Sequence, residues 1–241
     1  MIKFFRRIRQ QLLSENKFTK YLIYAAGEIV LVVIGILIAL QINDWNNYSI
    51  DREKEQAILK ELNKEFKHNL VKFEEAKHFH LLSDSLLKLS LTSFPWAMED
   101  IEKNLPIADS ATLPWTYNPS RGVINSLISS GNYELIKNDS LRNLLLSFND
   151  VYEDFLEEEL NHQKYRYEVL EPLVAQNIDL MNMRDPKVAQ MNLNFFNSSS
   201  YRSQLLFMLG RLSAVLNEMN EGSLENNIKG IVNLTSSEIK N

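Results

Sequence analysis

Residues 21–42 read YLIYAAGEIVLVVIGILIALQI, apolar almost throughout, with Glu28 as the only formal charge. A helix of that length spans roughly 33 Å, close to the hydrocarbon thickness of a bilayer. The segment therefore predicts a transmembrane helix that divides the chain. A short tail, residues 1–20, lies on one side, and residues 43–241 lie on the other.

The flanks set the direction of the span. Lys3, Arg6, Arg7, Arg9, Lys17 and Lys20 precede it, opposed by Glu15, so the tail carries +5. The whole chain carries −5, which leaves −10 for residues 21–241. Positive segments stay in the cytoplasm, so residues 43–241 are expected outside. An acidic outer region argues against nucleic acid as a partner. Tyr21 and Tyr24 at one end, with Trp45 and Tyr48 at the other, suit the two aromatic belts of a bilayer. A cleaved signal peptide would have a shorter apolar run followed by a small-x-small site. Here the run is longer and leaves through Ala39-Leu-Gln-Ile-Asn-Asp44, without a small residue at the right place. A buried core helix of a soluble protein and an organellar import sequence are the weaker rivals.

In the tail, Met1, Phe5, Ile8 and Leu12 recur at helical spacing among the basic residues. That pattern fits a basic amphipathic helix on an anionic leaflet, and equally a plain topology signal. Within the span, Glu28, Gly35 and Ala39 share one side, and Gly35-x-x-x-Ala39 permits close helix approach. A carboxyl in hydrocarbon needs a partner or protonation. The expectation is self-association, or docking on a membrane partner, through Glu28, Gly35 and Ala39.

Residues 4–47, FFRRIRQQLLSENKFTKYLIYAAGEIVLVVIGILIALQINDWNN, closely resemble the opening of an uncharacterised group of flavobacterial membrane proteins, domain-of-unknown-function family 6090. LLSENKF, the YAAGEIVLVVIGILIALQIN core and the trailing DWNN carry the match. It is similar again around Leu127-Ile-Ser-Ser-Gly-Asn and Ile136-Lys-Asn-Asp-Ser-Leu-Arg. The resemblance implies a single-pass envelope protein with a helical outer region. It implies no activity, ligand or catalytic residue.

The outer region reads as helices and loops. From Asp51 to about Leu91 there is no Gly or Pro, and Leu59, Leu62, Phe66, Leu70, Phe73, Ala76 and His80 follow a 3–4 spacing. This long helix, 51–91, could be a stalk or a bundle member. Residues 94–120 hold four prolines together with Trp96, Trp115 and Tyr117, which predicts a loop with a short helix near 97–104. Its aromatics are expected to cover the end of a bundle. Helices follow at about 121–130, 140–183 and 200–240, with Gly131 ending the first and Asn138, Asp139 or Ser140 capping the second. Pro172 is expected to kink or end that second helix. The predicted fold is all-α: an N-terminal transmembrane helix, then an extracytoplasmic antiparallel bundle of three or four long helices.

The chain has no cysteine, which removes disulfides and thiolate metal sites. It has no phosphate-binding glycine loop, G-x-S-x-G elbow or H-E-x-x-H pair. One metal-like signal stands out: Glu75-x-x-His78 and Glu159-x-x-His162 on two helices, the spacing used by di-iron carboxylate bundles. With Phe73 and Ala76 facing the core, Glu75 and His78 should point away. Glu159 ends a Glu157-Glu158-Glu159 run that reads as a solvated face. No cofactor is expected. The leading reading is a non-enzymatic protein of the bacterial inner membrane, single-pass, with a periplasmic C-terminal domain. It would bind another envelope protein or itself. The alternative is an extracytoplasmic ligand sensor, and the remote one a di-metal enzyme.

Overall fold

A computed structural model describes residues 18–240 of the chain, with the side chains of Leu22, Ile23 and residues 25–240. Among these residues every regular element is helical. Helix α1 is Phe18–Thr92 and is followed by a 3₁₀ turn, Met98–Asp100. Next come α2 (Ile101–Ala111), α3 (Gly122–Ser129) and a second 3₁₀ turn, Asn132–Leu135. Helix α4 (Asp139–Tyr165) runs into a π turn, Arg166–Leu170, and then α5 (Glu171–Asn177). The chain closes with α6 (Pro186–Phe196), α7 (Ser199–Glu221) and α8 (Ser223–Glu238).

The chain divides into two compact units, Met1–Glu55 and Gln56–Asn241. In the first, α1 holds a stretch long and apolar enough to cross a membrane, with none of it buried inside the protein. From Ile29 to Ile42 the large aliphatic side chains are 47–66 % exposed. Such a surface is costly in water and stable in lipid. No break separates the apolar segment from residue 51. Residues 43–50 contain Asn and Ser, which weaken a helix, but no Gly or Pro to end it.

The second unit has two apolar cores. In one, Leu59, Phe66 and Phe73 of α1 meet Ile124 of α3, Phe148 of α4 and Ile228 of α8. In the other, Leu87 and Trp96 meet Ala108 of α2, Leu170 of the π turn, Phe196 of α6 and Leu205 of α7. Helix α4 packs against both α7 and α8. The aromatics of residues 94–120 divide: Trp96 and Tyr117 are buried, whereas Trp115 is partly exposed and stacks on Phe79 at 3.5 Å.

Side chains of α1 organise the connections. The Glu65 carboxylate accepts from the backbone N–H of Val123 and Ile124, at 2.9 and 3.2 Å. It thus caps α3, whose own N-cap residue supplies no side-chain bond. Asn69 donates to Ser120 O and accepts from Ser120 N, both at 2.8 Å. Gly131 adopts φ 72°, the left-handed conformation that glycine tolerates best. Asn138 then caps α4 by accepting from Leu141 N, and Ser198 caps α7 by accepting from Tyr201 N.

The long helices expected at 140–183 and 200–240 are each interrupted. Pro172 cannot donate to the carbonyl four residues back, and the π turn ends two residues before it. Near Gly222, a Cβ would lie 2.2 Å from Glu218 O, so a side chain is excluded where α7 ends and α8 begins. The short helix expected near 97–104 lies at Ile101–Ala111, with Pro106 inside it.

Candidate functional site

The inward face of α4 changes character along its length. Leu141, Leu145, Phe148, Tyr152 and Phe155 are buried in the first core. The same face continues as Glu159, His162 and Arg166, and all three are buried. These polar residues, with His80 of α1, form a belt between the two apolar cores.

Glu159 is 1 % exposed, a correction to its reading as part of a solvated glutamate run. Spacing explains it: Glu159 lies one helical turn beyond Phe155 and two beyond Tyr152, while Glu157 and Glu158 turn outward or halfway. Its carboxylate accepts from Tyr117 N, which lies 3.0 Å from both oxygens. His80 Nε2 lies 3.1 Å from Oε1. The expected outward direction of Glu75 and His78 is what the structure has: both are exposed, so the two Glu-x-x-His pairs do not meet. Among the described residues, no group of three or more His, Asp or Glu could hold a metal ion.

His162 stands beside this contact, its ring centroid 6.4 Å from that of His80. Its Nε2 is buried without a hydrogen-bond partner. Burial first, then the neighbouring His80, Arg211 and Arg166, lower its pKa from 6.5 to about 4. The ring is therefore neutral at pH 7. Tyr117 is buried edge-on against Phe73, and its hydroxyl also lacks a partner. Burial, then Tyr152 and Glu159, push that hydroxyl far above the usual tyrosine range.

At the other end of the belt the π turn carries Arg166. Its Nε donates to Glu171 Oε1 at 2.9 Å and its Nη2 to Asp109 Oδ1 at 3.2 Å. Nη1 donates to Thr112 Oγ1 and, at 3.5 Å, to Asp109 O. The guanidinium forms one corner of a cleft of about 310 Å³. Leu105, Leu170, Val174, Leu180 and Phe196 supply its apolar wall. Tyr201 also lines it, its ring packed against Trp96 and Phe196. Burial raises the Tyr201 pKa, with Arg166 lowering it and Asp109 raising it. π turns recur at functional sites.

The span residues singled out in the sequence are only partly described. Lys3, Arg6, Arg7, Arg9 and Lys17 lie outside the described residues, as do the side chains of Lys20 and Tyr21. Trp45 is exposed and Glu28 half-buried. Gly35 and Ala39 are exposed, and a Cβ on Gly35 would meet nothing within 4 Å.

The described residues are all helical and include one uncovered apolar segment long enough to cross a membrane, which makes this a candidate membrane-anchored helical protein. Residues 28–183, nearly two-thirds of the chain, match a family of unknown function (DUF6090). The protein belongs to that family. No curated protein matches it, and no solved structure does.

Proposed function

We propose that this is a single-pass protein of a bacterial inner membrane, N-terminus cytoplasmic, whose helical unit is a periplasmic antiparallel bundle that binds a ligand without transforming it. The observation that carries the binding role is the cleft beside Arg166. It joins an apolar wall to a charged corner, the arrangement usual in small-molecule sites. The belt supports binding over catalysis, because both Glu159 oxygens are already held by Tyr117 N–H and one also by His80. Exposed aliphatic residues from Ile29 to Ile42 support the anchor, and the tail's positive charge supports the orientation.

A protein partner is the second reading. Leu206 and Phe207 stand side by side and exposed on α7, an apolar pair suited to a neighbouring surface. Alkaline carbonate should leave the full chain in the membrane fraction, and a reporter fused to Asn241 should be active only outside the cytoplasm. Release by carbonate, or a cytosolic reporter, would overturn the anchor. Photocrosslinking in native membranes separates the two binding modes. A protein captured from position 207 favours the second, and capture of none there favours the cleft.

A further inference from the structure

The proposal that follows rests on the cleft being a binding site and concerns what it binds. All three nitrogens of Arg166 are already engaged, and its charge is answered by both Asp109 and Glu171. The corner therefore carries a net charge of −1. Each carboxylate meets the guanidinium through one oxygen, and their side chains are 65 % and 46 % exposed, so the remaining oxygens can still accept. Tyr201 lines the cleft and is only 4 % exposed. A phenol at a cleft wall can accept from or donate to a guest. An incoming anion would face two carboxylates and an arginine already occupied. A cation would gain carboxylate oxygens together with the phenol oxygen.

We propose that the cleft binds a small amphipathic amine. Its ammonium lies against Asp109, Glu171 and the Tyr201 hydroxyl, and its apolar body runs along Leu105, Leu170 and Val174. The volume limits the body to roughly one aromatic ring with a short chain, near the lower end for ligand sites.

The test uses the full chain in zwitterionic lipid nanodiscs, titrated calorimetrically with three probes of one shape: 2-phenylethylamine, 2-phenylethanol and 3-phenylpropionate. The amine should bind at least about tenfold tighter than the carboxylate, as expected when charge-assisted bonds are gained. Leu105→Trp, which fills the cleft, should abolish saturable binding. If that variant does not fold by circular dichroism, Val174→Trp replaces it. D109N/E171Q should reverse the order in favour of the carboxylate, because Arg166 is then unanswered. Equal affinity across the three heads, or amine binding untouched by the filling variants, would overturn the proposal. So would capture of a lysine-bearing peptide that excludes the free amine. Carboxylate preference in the wild type refutes the amine but leaves a binding cleft standing, whereas no saturable binding of any probe refutes both.

Discussion

His80 Nε2 and Glu159 Oε1 lie 3.1 Å apart, both residues 1 % exposed, and join α1 to α4 midway between the two apolar cores. The carboxylate also accepts from Tyr117 N, so one side chain holds two segments of chain.

Glu159→Ala should therefore cost about 2–4 kcal/mol, because it leaves a buried N–H and an imidazole unsatisfied. Glu75→Ala, on the exposed face of α1, should change stability by no more than about 0.5 kcal/mol. Thermal melts of the full chain in nanodiscs, followed by circular dichroism, would compare the two. Equal losses would contradict the role given to the belt.

Acid should weaken the helical unit through His162. Its folded pKa, about 4, lies below the ordinary 6.5. Between those values the unfolded chain binds a proton that the folded chain refuses. The contribution is fully present above pH 6.5, falls as pH drops from 6.5 to 4, and reaches about 3 kcal/mol. His162→Gln should flatten that slope in denaturant titrations run at pH 4, 5.5 and 7. An unchanged slope would place the acid sensitivity elsewhere.

The corner after α3 depends on one left-handed residue and one cap. Gly131→Ala should cost about 1 kcal/mol, since φ 72° disfavours any Cβ. Asn138→Ala should cost about as much by freeing Leu141 N. Faster amide exchange at the start of α4 in the second variant only would separate the two effects.

Asn63 binds α1 to α8. Its Nδ2 donates to Thr235 Oγ1 and Ser236 Oγ, both at 2.8 Å, and to Val232 O at 3.2 Å. Asn63→Asp keeps the size but loses both N–H donors of this nitrogen and turns a charge toward a carbonyl. It should destabilise more than Asn63→Ala, itself worth about 1–3 kcal/mol. The reverse order in chemical unfolding would mean that packing, not donation, holds this contact.

The apolar stripe of α1 was readable because a helix repeats every 3.6 residues: Leu59, Leu62, Phe66, Phe73 and Ala76 all face the core. Leu70 is only half-buried, and Asn69 beside it is fully buried for its bonds to Ser120. Asn69 and Glu65 were missed because a polar residue that answers a distant backbone group leaves no periodic mark. Glu159 was within reach. Phe148, Tyr152, Phe155, Glu159, His162 and Arg166 keep a 4–3–4–3–4 spacing, and the neighbouring glutamates obscured it. The cleft was out of reach. Its walls come from α2, the π turn, α5, α6 and α7, and only tertiary contact brings those segments together.

The π turn amounts to one residue inserted into a rod. In a regular helix each residue advances the side chains by about 100°. Residues five apart, such as Arg166 and Glu171, would then stand about 140° from each other, yet across the π turn they meet. The wider turn lets Glu171 reach Arg166 while Leu170 packs in its core and Val174 lines the cavity. The shape of the concave surface is thus set by a register offset in the backbone, which no exchange of side chains could reproduce.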